Sequence, residues 1–163
     1  MKPYEILIYP NPRLFLKASA VTVFNDDLKM VVDRMFFTMK INDGIGLAAP
    51  QVNIQKRIIV IAFDSYNLTL INPLILSKSV ETTGIYEGCL SVPSVRGFVK
   101  RNQKIKISYQ DLNGNDLILE ANGLLSICIQ HEIDHLNGVV YLNRMTDLKR
   151  YITVRKYNKL NKV

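Results

Sequence analysis

The stretch "CIQHEIDHLNG", Cys128 to Gly138, contains both histidines of the chain, His131 and His135. It belongs to a longer run, "NGLLSICIQHEIDHLNG", that is apolar on nearly every side and closes on Asn137-Gly138, a good helix stop. The spacing predicts a buried helix. Residues four apart on a helix share a face, so both imidazoles can aim at one point. Glu132 lies about 100° around from His131, at the edge of that point. A His-Glu-x-x-His arrangement offers two nitrogen ligands for a metal ion and a carboxylate to handle the proton of a bound water. Without a metal, the two buried rings would each need a separate hydrogen-bond partner.

Catalytic sites of this kind take three protein ligands and keep one position for water. Residues 136–163 contain no Glu, His or Cys, and their one Asp is Asp147. The third ligand is therefore expected upstream. Cys128 precedes His135 by seven residues, about 10.5 Å along a helix, too far for both to reach one ion. It reads as a small buried apolar residue. Cys89, in the loop-like "EGCLSVP", is the leading candidate, with Gly88 beside it to allow a close backbone approach.

Working outward, Leu28, Val31, Val32, Met35, Phe36 and Met39 fall on one stripe. They predict an amphipathic core-facing helix near 26–42, capped by Asn25 or Asp26 and ended by Asp43-Gly44. "GIGLAAPQ", Gly44 to Gln51, suits neither a long helix nor a strong strand. Arg57–Phe63 and Leu68–Asn72 read as strands, with a turn at Asn72-Pro73 and another short strand at Leu74–Leu76. Lys104–Gln110 alternates as a half-buried strand, and the Asn113-Gly114 turn leads into Leu117–Glu120. Thr146–Lys159 predicts a basic amphipathic helix with Leu148, Ile152, Arg155 and Lys159 at helical spacing. The expected fold is α+β: mainly antiparallel strands around a buried central helix carrying His-Glu-x-x-His, with an N-terminal amphipathic helix and a C-terminal helix. The whole chain, 1–163, reads as a single domain.

Composition narrows the setting. At 48% hydrophobic residues the chain can bury an ordinary core, which excludes a disordered protein. The apolar run Ile6-Leu7-Ile8 is cut by Pro10, and no secretion signal is expected. No segment approaches the roughly 18 apolar residues of a membrane span. Two cysteines make a disulfide framework unexpected and favour a cytoplasmic setting. Of the net charge of +7, +6 falls in Arg144–Val163, where seven basic residues face one acid, Asp147. Such a tail points to an anionic partner such as RNA.

"GIGLAAPQ" (Gly44–Gln51), "EGCLS" (Glu87–Ser91) and "QHEIDHLNG" (Gln130–Gly138) resemble the three signature motifs of peptide deformylases, in the same order and spacing. The resemblance runs over nearly the whole chain and includes the long C-terminal helix of many bacterial members. It implies an enzyme that removes the formyl group from the formyl-methionine of newly made polypeptides and releases formate. It implies one divalent metal ion, Fe2+ as the usual native metal, with Zn2+, Ni2+ or Co2+ as substitutes.

By matching positions, Cys89, His131 and His135 are the implied metal ligands and Glu132 the general base and acid. Gln51 and the Leu90 N–H are the implied donors to the formyl oxygen. Ile45, Ile85, Leu124 and Ile127 match the lining of the methionine pocket. Gly46 matches the place where backbone pairs with the extended substrate, and Arg96 a position near the substrate entrance. Glu87 and Arg101 match an ion pair behind the metal-binding segment. The implied partners are N-formylmethionyl nascent peptides and, through the C-terminal helix, the ribosome. No membrane or DNA partner is expected.

Overall fold

A computed structural model describes residues 1–163. The first helix, α1 (Asp26–Ile41), begins where the Asn25 side chain accepts the Leu28 N–H at 3.0 Å. Asp26 and Asp27 lie in its first turn, where negative charge suits the helix dipole. Leu28, Val32, Met35 and Met39 form its buried stripe. The helix ends through Asn42 at the predicted Asp43-Gly44 stop, with Asp43 in the left-handed conformation (φ 56°). The Gly44 N–H turns back to the Met39 carbonyl at 3.0 Å.

Seven strands follow in two antiparallel sheets. They are β1 (Gly46–Ala48), β2 (Ile58–Phe63), β3 (Tyr66–Lys78), β4 (Thr82–Cys89), β5 (Val92–Asn102), β6 (Lys104–Gln110) and β7 (Asp116–Asn122). The larger sheet has the order β1-β2-β3-β6-β7, and β4 pairs with β5 alone. Strand β2 explains its own unbroken apolar run. Ile59 and Ile61 pack toward the second helix, α2 (Leu124–Leu136), while Ile58 and Val60 pack toward α1. A strand buried on both faces has no polar side to show.

The expected turn at Asn72-Pro73 is absent. Leu68–Asn72 and Leu74–Leu76 belong to one 13-residue strand, β3, with a register shift between Ile71 and Leu74. Asn72 takes φ 50° at this bulge, and its amide clamps Val21 by accepting its N–H (2.8 Å) and donating to its carbonyl (2.9 Å). Side-chain pairing thus turns the expected chain reversal into a bulge.

Strands β4 and β5 were not expected from the sequence, because Gly84, Gly88, Pro93 and Gly97 interrupt the alternation. The glycines admit neighbouring side chains instead: a Cβ on Gly84 would strike the Phe98 ring, and one on Gly97 would strike Met145. Cys89 consequently ends a strand rather than sitting in an open loop.

Every residue of α2 from Leu125 to Leu136 is buried. The chain leaves it through Gly138 (φ 74°), where a Cβ would strike the Phe15 carbonyl. A short 3-10 turn at Tyr141–Arg144 leads to the last helix, α3 (Asp147–Asn161). The predicted stripe of α3 lies on its outer face. Leu148 and Ile152 are 69% and 57% exposed, as are Arg155 and Lys159 on the same side. Helix α3 docks instead through Tyr157, fully buried against β5 and Leu14, and through half-buried Val154. The Tyr157 hydroxyl donates to the Tyr9 carbonyl at 2.7 Å. No helix is long and apolar enough to cross a membrane.

Candidate active site

The two histidines occupy one face of α2, with ring centroids 5.1 Å apart. Cys89 reaches them from the end of β4, its Sγ 3.3 Å from His135 Nε2. One ligand atom from each of Cys89, His131 and His135 lies within 4.8 Å of the others. Donors at metal bond lengths of about 2.0–2.3 Å sit about 3.3–3.8 Å apart around a tetrahedral ion, so this cluster needs little contraction to hold one. Nδ1 of His131 contacts Glu87 Oε1 at 2.7 Å, which directs the other ring nitrogen toward Cys89. Tyr141 stacks on the His131 ring, 5.9 Å between centroids.

The charge balance of the cluster also suits a cation. Burial disfavours the charged form of His131, yet hydrogen bonds to Cys89 and Glu87 outweigh it and push the ring's pKa well up. His135 goes the other way: burial, then the neighbouring charges of His131 and Arg101, hold it well below its ordinary value. One imidazole is thus driven to carry positive charge between a sulfur and a carboxylate, where a metal ion would supply it. One cysteine sulfur with two imidazoles is a donor set that suits a divalent transition metal.

Glu132 is buried beside this cluster, and its Oε2 has no hydrogen-bond partner. Burial raises its pKa to about 7, with Glu87 and Asp134 adding to the rise and His131 opposing it. Strand β1 lies directly over the carboxylate. A Cβ on Gly46 would come within 2.6 Å of Glu132 Oε1 and 2.8 Å of Cys128 Sγ. A carboxyl poised near neutrality with a free oxygen can both take and return a proton.

Gln51 is oriented by its own amide. Its Oε1 accepts the Ala48 N–H at 2.9 Å, so Nε2 faces Ser91 Oγ (3.2 Å) and Cys89 Sγ (3.5 Å). The Leu90 N–H makes no backbone hydrogen bond. Gln51 Nε2 therefore borders the sulfur, and Leu90 is the next residue after Cys89.

A cleft of about 990 Å³ opens over these groups. Ile45, Gly46, Ile85, Arg96, Leu124 and Ile127 all line it, as do Gln51, Leu90, Cys89, His131 and Glu132. His135, at 1% exposure, lies beneath the wall rather than on it. Ile127 is buried, Ile85 half-buried, and Ile45 and Leu124 are exposed at the mouth. Cys128 packs in the core between α2 and the larger sheet, and burial pushes its thiol pKa well up.

Several neighbours escaped the sequence reading. Ser91 bonds Gln51, and Lys156 of α3 lines the cleft. Behind the Cys89–His131–His135 cluster, Arg101 grips Glu87 through two bonds (2.8 and 2.9 Å) and Asp134 through a third (2.6 Å). Asp134 in turn is held by Arg144. The expected Glu87–Arg101 pair is therefore one half of a four-residue cluster. Ser91 lies inside the quoted "EGCLS" and Asp134 inside "HEIDH", so position offered a signal for both. Nothing in the sequence marks Arg144 or Lys156 apart from the other tail cations.

Known proteins share this arrangement of chain. The sequence model of the polypeptide deformylase family matches residues 3–151. A crystal structure of a peptide deformylase from Legionella pneumophila is 35% identical with a TM-score of 0.93, over 99% of this chain and 96% of that one. One from Ehrlichia chaffeensis in complex with actinonin is 39% identical with a TM-score of 0.91, covering 100% of both chains. A Plasmodium falciparum peptide deformylase complexed with an inhibitor is 42% identical with a TM-score of 0.89, over 98% of this chain and 100% of that one. A family match spanning most of the sequence thus joins a fold and a cysteine–imidazole cluster suited to metal-assisted hydrolysis, and the chain belongs to the polypeptide deformylase family, enzymes that remove the N-formyl group from nascent peptides.

Proposed function

We propose that Cys89, His131 and His135 hold one divalent metal, Fe2+ in the cell, and that Glu132 is the proton-transfer group of the deformylation reaction. Zn2+, Ni2+ or Co2+ would fit the same three donors. When bound, the metal supplies a Lewis acid that polarises the formyl group and makes water acidic enough to react near neutral pH. Glu132 accepts the proton of the attacking water at its unpartnered Oε2. Gln51 Nε2 and the Leu90 N–H donate to the formyl oxygen as it gains negative charge, each contributing about 3 kcal/mol. The C–N bond then breaks, and Glu132 passes its proton to the departing amine. Formate and a free amino terminus leave.

The cleft supplies the specificity. Ile45, Ile85, Leu124 and Ile127 offer an apolar seat for the methionine side chain of the formylated peptide. Gly46 leaves the β1 backbone open to pair with the extended substrate, and Arg96 guards the entrance. Residues 1–163 act as one domain built around α2 as its central helix.

The basic helix α3 contacts the ribosome, in the cytoplasm, and brings the cleft to new chains. Its support is electrostatic. Lys149, Arg155, Lys156, Lys159 and Lys162 have no carboxylate partner, and such a surface favours RNA.

The observation that carries the reading is the convergence of one sulfur and two imidazoles beside a buried carboxylate with a free oxygen. The test is formate release from formyl-Met-Ala-Ser by protein purified without oxygen, alongside elemental analysis. Formate release that tracks iron content is expected. Cleavage of unformylated Met-Ala-Ser without formate release from the formylated peptide would reject it.

A further inference from the structure

We propose that Arg144, which lies outside the cleft, is a positioning residue for His131, acting through Asp134, Arg101 and Glu87. The connection is continuous. Arg144 clasps Asp134 with two bonds, Nε to Oδ2 at 3.0 Å and Nη2 to Oδ1 at 2.7 Å. Asp134 Oδ2 also accepts from Arg101 Nη1 at 2.6 Å. The remaining edge of the Arg101 guanidinium holds both oxygens of Glu87, at 2.8 and 2.9 Å. Glu87 Oε1 meets His131 Nδ1 at 2.7 Å. Two carboxylates and two guanidinium groups alternate along this line, so the cluster is neutral as a set.

Arg144 is the end that controls the balance. Glu87, Arg101 and Asp134 are buried, whereas the Arg144 side chain is 50% exposed. Without it, two buried carboxylates share one guanidinium, and Asp134 competes with Glu87 for Arg101. Arg101 holds Asp134 by a different edge from the one that grips Glu87, so a shift toward Asp134 loosens the Glu87 fork. Glu87 is what fixes the tautomer and tilt of His131, so the effect arrives at a metal-binding ring. The same short turn touches His131 a second way. Tyr141, three residues before Arg144, stacks on the ring. The turn that leads into α3 thus holds His131 by its face and, through the ionic line, by its Nδ1.

The proposal rests on His131 being a metal ligand, and the experiment separates the two claims. Zinc dissociation constants are measured by chelator competition for wild type, Arg144→Ala, Arg144→Lys and Tyr157→Phe. The His131 Nδ1–H resonance is followed in the metal-free proteins, where it reports ring positioning with no metal involved. Arg144→Ala is expected to weaken zinc about three- to tenfold, below the 10–100-fold typical of a direct partner, and to shift the resonance. Arg144→Lys, which keeps the charge but loses the fork, should fall between. Tyr157→Phe removes the bond to Tyr9 and lowers stability, yet should leave both readouts at wild-type values. If Arg144→Ala does not fold, the lysine variant decides by the same readouts. An unmoved resonance with unchanged zinc affinity, or equal weakening by Tyr157→Phe, would overturn the proposal.

Discussion

Glu132 is held where a carboxylate is least comfortable, buried and with one oxygen unpartnered. Its pKa, pushed to about 7 from 4.5 chiefly by burial, has a consequence for stability. In chelator-treated protein the folded state keeps this proton over a pH range in which the unfolded chain has lost it. The stability that the Glu132 proton contributes should therefore be fully present below about pH 4.5 and be lost as pH rises through 7, by about 3 kcal/mol relative to Glu132→Gln. Urea unfolding of the two metal-free proteins across that range measures the difference; parallel curves would mean the carboxyl is not perturbed. The same substitution is expected to keep the metal and lose turnover by about 10²–10⁴-fold. Wild-type rates in Glu132→Gln would remove it from the reaction. The two cysteines divide similarly: Cys89→Ala should lose most of its metal by elemental analysis, and Cys128→Ala should retain it. Local spacing made His131, Glu132 and His135 legible, because helical geometry alone joins them. Arg144 was not legible. One cation among seven in a basic tail looks solvated until the fold brings Asp134 beneath it.

At the scale of elements, the site is a meeting of β1, β4 and α2, and its tolerance depends on a missing side chain. Gly46 leaves no room for a methyl between β1 and Glu132. Gly46→Ala should therefore cost at least about tenfold in kcat/KM for a formylated peptide while the protein remains folded, since the Glu132 carboxyl can yield where backbone cannot. Unchanged kinetics would show that β1 does not constrain the carboxylate. At Gly138 the obstacle is backbone, the Phe15 carbonyl, and φ is 74°. Gly138→Ala should lower Tm by several degrees, and an unaltered melting curve would contradict the close approach. Helix α1 was readable because its apolar spacing is long and regular, and α2 because a long apolar run closes on Asn137-Gly138. The β4–β5 hairpin was not, since its glycines serve Phe98 and Met145 rather than a turn. Strand β3 misled for a related reason: Asn72-Pro73 normally reverses a chain, but here the Asn72 amide is occupied by Val21.

The whole molecule presents a basic helix beside a cleft whose chemistry lies on other elements. Helix α3 is pinned by Tyr157, so its outward face, with Leu148, Ile152, Arg155 and Lys159, is free. The sequence pattern set these four residues at helical spacing, but periodicity marks a face without saying which way it points. Charge reversal at Arg155 and Lys159 together is expected to abolish a salt-sensitive co-sedimentation with ribosomes and to leave formate release from short peptides unaltered. Equal co-sedimentation of the reversed protein would contradict a role for this face. The catalytic expectations presuppose one ion held by a β-strand sulfur and two α2 imidazoles. X-ray absorption on the anaerobically purified protein reads that coordination directly. The account predicts one sulfur at about 2.3 Å with two nitrogens at about 2.0–2.1 Å, the sulfur vanishing in Cys89→Ala. A shell without sulfur, or one whose sulfur survives that substitution, would contradict it.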